Sequence, residues 1–299
     1  MALPEQSSQD HVHKLPDGRS LAWREYGSPD GTPVMYFHGI PGSRIDGRVT
    51  ADAIEAAGLR MVAPDRPGFG LSSLGTGRRS YADWADDVAS LADRLGIDRF
   101  AIVAYSAGGP YALAACATLA DRVTRAAIVS GVAPSEMSGY RKGTGPTDRA
   151  MTLLAPRVPS LARFLVGLSI KQAQAKPERF GKSVDRDFSA PADQRILDSE
   201  LRAQLPELFL ESTRGGPAGI VEDFAVWTRP SGIDLGRVST PVQLWHGEED
   251  RTIPSSHARW IASRVSSAEL TIWPGVGHLH DLERWAEVYA ALGPPRARS

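Results

Sequence analysis

A serine ends an apolar run in the segment FAIVAYSAGG, which spans residues 100–109. The residues two positions before and after Ser106 are Ala104 and Gly108, and both are small enough for a strand to turn sharply into a helix there. Such a corner holds the serine in a strained backbone conformation with its hydroxyl exposed. The start of the helix adds free N–H groups and a partial positive charge. This pattern is typical of a serine nucleophile whose reaction creates a negatively charged oxygen.

A serine hydroxyl is a weak nucleophile at neutral pH, so it needs a base that takes its proton. Histidine can serve as that base, and a carboxylate then orients the imidazole. The segment WHGEED offers the carboxylates of Glu248, Glu249 and Asp250, and the segment GHLH offers His278 and His280. Residue types alone leave all five side chains as candidates.

Short apolar runs bounded by turn residues indicate strands that are buried on both faces. Two strands are expected within residues 11–27, where Asp17 and Gly18 form a pair typical of a hairpin turn. Further strands are expected at residues 33–39, 60–66, 99–105, 125–131, 241–247 and 269–275. Helices are expected at residues 80–97, with Ser80 as N-cap, and at 107–120, 255–264 and 281–292. This alternation predicts an α/β fold with a mostly parallel central sheet and flanking helices.

The alternation stops between the sixth and seventh predicted strands. There the sequence has helical stretches and basic or polar linkers, but no convincing strand. Long excursions of this kind are usually functional. We therefore expect a core made of residues 1–132 and 236–299, with residues 133–235 inserted as a helical lid over the C-terminal edge of the sheet.

Several motifs resemble those of the α/β-hydrolase fold superfamily. AYSAGG is similar to its nucleophile elbow, small-x-Ser-x-Gly, with Ala104 in place of the usual first glycine. FHGIPGS, residues 37–43, is similar to its oxyanion loop, and PDRPGFGLSS, residues 64–73, is similar to a segment that marks the fold without doing chemistry. The acid and histidine segments follow the serine in the order expected for this fold. The resemblance covers residues 15–132 and 236–292.

The resemblance implies a triad of Ser106, Asp250 and His278. The family spacing Gly-x-x-Asp after the strand selects Asp250, and the family pattern Gly-His selects His278 over His280. In such a triad His278 takes the serine proton and later returns it to the leaving group. Asp250 orients the imidazole and stabilises it when it is charged.

The resemblance also implies an oxyanion hole made by the backbone N–H groups of Ile40 and Ala107. His38 and Gly39 belong to the oxyanion loop. His38 is expected to shape that loop and not to transfer protons, because the catalytic histidine of this family lies near the C-terminus.

A site of this kind implies a cofactor-independent serine hydrolase that cleaves a small ester, lactone or related acyl compound through an acyl-enzyme. Carbon–carbon bond hydrolases and cofactor-free haloperoxidases or perhydrolases share the triad, although haloperoxidases usually have Met where Ala107 stands. Proline iminopeptidases also resemble the chain, and Glu207 and Glu211 would then hold a substrate amine. A ligand receptor on the same fold is a non-enzymatic alternative, but it has no need for Asp250 or His278.

Aromatic and leucine side chains of the lid are candidates for a hydrophobic wall around the substrate. They are Phe164, Leu165, Phe209, Phe224 and Trp227. Phe209, Phe224 and Trp227 are predicted as substrate-binding residues, and all five suit the core of a helical lid equally well.

Composition excludes several classes of function. The 299 residues carry a formal net charge of −1, so no overall field attracts nucleic acid or an anionic membrane. The single cysteine, Cys116, excludes an intramolecular disulfide and a cysteine-built zinc site, and the histidines lack ligand spacing, so neither a metal nor a cofactor is expected. The segment MALPEQSSQD does not resemble a signal peptide, and no apolar run is long enough to span a membrane. We expect a cytoplasmic protein whose partner is a small-molecule substrate.

Overall fold

The predicted apolar runs come together in one sheet. The structure is a computed structural model that describes residues 9–197 and 199–293. Residues 1–8, which include most of the segment predicted not to be a signal peptide, and residues 294–299 lie outside the described residues. The strands are β1 (His11–Lys14), β2 (Ser20–Gly27), β3 (Thr32–Phe37), β4 (Leu59–Pro64), β5 (Phe100–Tyr105), β6 (Val123–Val129), β7 (Val242–Gly247) and β8 (Ala268–Trp273).

The order of the strands is β1-β2-β4-β3-β5-β6-β7-β8. Strand β2 pairs antiparallel with both of its neighbours, β1 and β4. The pairs among β3 to β8 are all parallel. The β1–β2 hairpin turns at Gly18, whose φ of 85° is a left-handed conformation that favours glycine. The sheet with its flanking helices confirms the predicted fold class.

Eleven α-helices are described. They are α1 (Ala51–Ala56), α2 (Tyr81–Arg94), α3 (Gly108–Thr118), α4 (Pro146–Leu154), α5 (Pro159–Ala175), α6 (Pro177–Ser183), α7 (Pro191–Ile196), α8 (Ser199–Ser212), α9 (Ala218–Trp227), α10 (Ser256–Ala262) and α11 (Leu282–Leu292). Ser80 caps α2 as predicted, because its side chain accepts from the N–H of Asp83 while the Asp83 carboxylate accepts from the N–H of Ser80. Helix α1 was not expected, since six residues are too few to show a helical apolar pattern.

Helices cover both faces of the sheet. Along β3, Val34 and Tyr36 belong to an apolar cluster that includes side chains of α1 and α11. Met35 and Phe37 point to the other face and join a cluster that includes side chains of α2, α3 and α10. Because the central strands are parallel, the loops that follow β3, β5, β7 and β8 leave the sheet at its C-terminal edge.

The segment between β6 and β7 contains helices α4 to α9 and no strand among its described residues. Most of its apolar side chains form one cluster, which also includes Phe69, Val132 and Ile253 from loops outside the segment. The assignment of residues 133–235 to a separate lid stays a prediction. No helix in the described part of the chain has the length and apolar character needed to cross a membrane.

Gly108→Ala is expected to destabilise the fold. A Cβ at position 108 would lie 2.2 Å from the carbonyl oxygen of Phe37, so strand β3 and helix α3 would have to separate. We expect a loss of about 3 kcal/mol in the free energy of unfolding, measured by urea denaturation.

Gly167→Ala is the matched control, because a Cβ at position 167 in α5 would meet nothing within 4 Å. This substitution is expected to be neutral or to stabilise the protein by up to about 1 kcal/mol. Equal effects of the two substitutions would contradict the close approach of β3 to α3.

Candidate active site

Ser106 lies at the corner between β5 and α3. Its φ of 52° is unusual for a residue with a Cβ. Two backbone hydrogen bonds hold this conformation: the N–H of Ser106 donates to the carbonyl of Val129 (2.9 Å), and its own carbonyl accepts from Gly109 (3.0 Å). The side chain is therefore held at the C-terminal edge of the sheet.

The structure brings His278 and Asp250 together beside this serine. His278 Nε2 lies 3.2 Å from Ser106 Oγ, and His278 Nδ1 lies 2.7 Å from Asp250 Oδ2. The second carboxylate oxygen of Asp250 accepts from the backbone N–H groups of Thr252 (2.9 Å) and Ile253 (2.8 Å). These two bonds fix the carboxylate, so that its free edge faces the imidazole.

The competing residues lie elsewhere. Glu248 and Glu249 are exposed. His280 Nε2 lies 3.0 Å from the hydroxyl of Ser130 and its ring packs edge-on against Trp273. Burial lowers the pKa of His280 to about 3, which keeps the ring neutral. Of the five candidate residues, His278 is the one that contacts the serine, and Asp250 is the carboxylate that contacts His278.

The charges of the site favour a protonated imidazole at His278. Burial alone would lower the pKa of His278, but the charge and hydrogen bond of Asp250 outweigh it, with further contributions from Asp193 and Asp148, so that the pKa is raised above its usual range. Burial also works against the ionised form of Asp250, yet His278 and His246 hold the pKa of that carboxyl well below its usual range. Asp250 therefore stabilises the protonated form of the His278 imidazole.

The predicted oxyanion loop lies against the serine. A Cβ at Gly39 would lie 3.2 Å from Tyr105 Cδ1 and 3.3 Å from Ser106 Cβ, so the loop passes close to the serine. Ile40 follows it and is half-buried, as is Ala107. Among the described residues, the backbone hydrogen bonds outside helices and strands include none from the N–H of Ile40 or of Ala107. The oxyanion hole at these two N–H groups stays a prediction.

His38 is fully buried below this loop. Its Nε2 accepts from the backbone N–H of Arg66 (3.0 Å), and its Nδ1 lies 2.9 Å from the carbonyl of Gly39. The guanidinium of Arg66 donates to the carbonyls of His38 and Gly39 and forms an ion pair with Asp223 of α9 (2.7 Å). Both ring nitrogens of His38 thus have partners that hold the loop, as expected for a structural residue.

The predicted substrate wall is placed in two different surroundings. Phe209, Phe224 and Trp227 are buried in the apolar cluster of the helical segment, where the indole of Trp227 donates to the carbonyl of Ala133 (2.9 Å). Ile40 is half-buried and packs against the same cluster, so the cluster extends to the predicted oxyanion loop. Phe164 and Leu165 lie on the outer side of α5 and are 61% and 39% exposed.

Sequence reasoning did not select Asp193, Phe188 or Asp223 for the site. Asp193 of α7 accepts from the backbone N–H of Leu279, one residue after His278, at 2.8 Å. The ring of Phe188 stacks on His278 with 6.1 Å between ring centroids. These residues belong to no motif, and each contacts a residue far away in the chain, so no local pattern could have indicated them.

The geometry has the parts that acyl transfer requires. A hydroxyl faces an imidazole, and a carboxylate contacts the other nitrogen of that imidazole.

Known proteins share this architecture. The chain matches the alpha/beta hydrolase fold family over residues 32–283. It is 30% identical to a bifunctional esterase/perhydrolase from Acinetobacter calcoaceticus, over 88% of this chain and 90% of that protein. It is 27% identical to a 2-hydroxymuconate semialdehyde hydrolase from Pseudomonas putida, over 98% and 95%. Among solved structures, a bromoperoxidase from Bacillus anthracis superposes with a TM-score of 0.70 at 18% identity, over 95% and 98% of the two chains.

Asp250→Asn is expected to lower the pKa of His278. The substitution removes the negative charge that lies 2.7 Å from Nδ1 and leaves the burial of the ring in place, and burial favours the neutral imidazole. NMR titration of the His278 ring protons measures the change. Glu249→Gln removes the same charge from an exposed neighbour and should leave the titration unaltered. A shift in the Glu249 variant alone would contradict the pairing of His278 with Asp250.

Proposed function

We propose that this chain, which belongs to the alpha/beta hydrolase fold family, is a serine hydrolase. It cleaves a small ester, lactone or related acyl compound through an acyl-enzyme on Ser106. The observation that carries the proposal is the continuous contact from Ser106 Oγ through both nitrogens of His278 to Asp250. A histidine that contacts the serine and is oriented by a carboxylate can take the hydroxyl proton and so make the serine a nucleophile.

Acylation begins when Ser106 Oγ attacks the carbonyl carbon of the substrate. The hydroxyl proton moves to His278 Nε2, 3.2 Å away, and the imidazolium forms against the charge of Asp250. The carbonyl oxygen takes the negative charge and is held by the N–H groups of Ile40 and Ala107. Collapse of this intermediate breaks the bond to the leaving group, which receives the proton from Nε2.

Deacylation repeats these steps with water. His278 Nε2, neutral again, takes a proton from a water molecule as its oxygen attacks the acyl carbon. The same two N–H groups stabilise the second oxyanion, and its collapse returns the proton to Ser106 and releases the acid. Asp250 stays ionised throughout, since its pKa lies well below its usual range.

An aminopeptidase function has less support. The alternative depends on Glu207 and Glu211 binding a substrate amine, but both carboxylates have arginine partners. Arg48 forms a bidentate pair with Glu207 at 2.6 and 2.9 Å, and Arg44 lies 2.6 Å from Glu211. The two glutamates line an open cleft of about 540 Å³ in the helical segment, and neither Ser106 nor its partners line it.

The names of the relatives include an esterase and other enzymes. The relative with 30% identity is a bifunctional esterase/perhydrolase, another is a 2-hydroxymuconate semialdehyde hydrolase, and others are a non-heme chloroperoxidase and a non-heme haloperoxidase. The first of these supports an ester substrate. A ligand receptor has less support, because binding alone gives no reason to hold a serine, a histidine and a carboxylate in hydrogen-bond contact.

Labelling with a fluorophosphonate probe tests the proposal directly. The probe should phosphonylate Ser106, as located by mass spectrometry of the peptides, because only an activated serine attacks it. Ser106→Ala should lose the label and reduce hydrolysis of p-nitrophenyl esters by about 10⁴-fold or more.

His280→Ala is the control for the base. It should keep the label and the hydrolysis, since His280 contacts Ser130 and not Ser106. Undiminished ester hydrolysis by Ser106→Ala would show that another group is the nucleophile.

The pH profile of kcat/KM should fall on the acid side. Only neutral His278 can take the serine proton, so activity is present above the pKa of His278 and is lost as the pH drops through it. Because that pKa is raised, half of the maximal rate should be reached at a pH above the usual pKa range of histidine, in assays with an ester that does not itself ionise. A midpoint below pH 6 would contradict the stabilising effect of Asp250.

A further inference from the structure

The carboxylate of Asp193 lies directly against the backbone that carries His278. It is fully buried, and its Oδ1 accepts from the N–H of Leu279 at 2.8 Å. The backbone N–H of His278 also interacts with this carboxylate. A Cβ at Gly277 would come within 2.2 Å of Asp193 Oδ1, so glycine is required for the approach. One side chain of α7 thus contacts three consecutive residues of the loop.

Other residues of the helical segment contact His278 and the loop of Asp250. The ring of Phe188 stacks on His278 at an interplanar angle of 24°. The hydroxyl of Thr252, beside the Asp250 loop, donates to the carbonyl of Asp187 (2.7 Å), and the N–H of Gly145 donates to the carbonyl of Thr252 (2.8 Å). The loops of the acid and of the base are both tied to the segment between β6 and β7.

Asp193 also brings an acidic group that no described basic side chain neutralises. Burial raises the pKa of this carboxyl, although the backbone N–H of Leu279 and the charge of His278 oppose the rise, so its negative charge is present only above that raised pKa. Its Oδ2 is buried and has no hydrogen-bond partner among the described residues, and no described ion pair includes it. Other charged or titratable groups face His278 as well: Asp250 after β7, Asp148 in α4 and His280 in its own loop. Asp193 is the only one of these whose carboxylate is bonded to the backbone that holds the imidazole.

We infer that Asp193 is a positioning residue, which holds the loop of His278 and places a second negative charge beside the imidazole. This role rests on the proposed function, in which His278 is the base. Asp193 contacts neither the substrate carbonyl nor Ser106. It acts through His278, and it stabilises the imidazolium that forms while Ser106 attacks, in addition to Asp250.

Asp193→Asn removes the negative charge of the side chain but keeps an oxygen that can accept the hydrogen bond. The amide oxygen can still accept from Leu279, and the amide NH₂ replaces Oδ2, which has no described partner to lose. We expect the acid limb of kcat/KM to move to lower pH by about 0.5–1 unit, because a charge that raises the pKa of His278 is gone. KM and the melting temperature should change little.

Asp193→Ala removes the hydrogen bond as well. The freed loop should misplace the imidazole and lower kcat by about tenfold or more below the Asn variant, because small displacements of a catalytic group are costly. Because Asp193→Asn lacks the charge but keeps the hydrogen bond, a higher kcat in Asp193→Asn than in Asp193→Ala measures the effect of the hydrogen bond alone. Glu178→Gln, which neutralises an exposed carboxylate in α6, is the matched control and should leave both the profile and kcat unaltered.

The outcomes are distinguishable from a failure of the proposed function. If the wild-type protein is neither labelled at Ser106 nor active on esters, the proposed function fails, and NMR titration of His278 in Asp193→Asn still measures the effect of the charge. If the wild-type protein is active but Asp193→Asn leaves the acid limb and the NMR titration where they were, Asp193 has no such role. A shift of the acid limb to higher pH would likewise overturn the inference.

Discussion

The left-handed backbone of Ser106 is the constraint on which the rest of the site depends. A conformation of this kind costs about 1–3 kcal/mol at a residue with a Cβ and persists only where the surroundings enforce it. Here β5 ends between β3 and β6, the N–H of Ser106 is bonded to Val129, and the carbonyl of Phe37 leaves no room for a side chain at position 108. The hydroxyl therefore has a fixed place before any other residue of the site is added.

Most of the fold and the residues at strand ends could be predicted from the sequence because their signals are local. The small residues beside Ser106, the Gly-His pair at His278 and the apolar runs of the parallel strands each depend on a few neighbouring positions. The choice of Asp250 over Glu249 is different in kind. Both are carboxylates in one turn, and they differ in structure because the turn exposes one and directs the other at His278.

The helical segment could be predicted only as a set of helices. An aromatic side chain suits a helix core and a substrate wall equally well, so the sequence could not show that Phe209 and Phe224 are buried while Phe164 lies outside. Its contacts to the site are equally hidden from local patterns. The carboxylate of Asp223 pairs with Arg66 across 157 positions of the chain, and that of Asp193 reaches Leu279 across 86. Only the fold brings these residues together.

These two carboxylates make the helical segment part of the site's framework. Through Arg66, Asp223 contacts the carbonyls of the loop after β3, and Asp193 contacts the loop of His278. Because α7 and α9 carry these contacts, a displacement of either helix would disturb the loop of His278 or the loop after β3. Helix α5 carries neither contact, and its Ala162, Val166 and Ala173 are buried in the same apolar cluster as Phe224. Substitutions in α5 that leave both loops undisturbed are therefore those on its exposed side, where Phe164 lies.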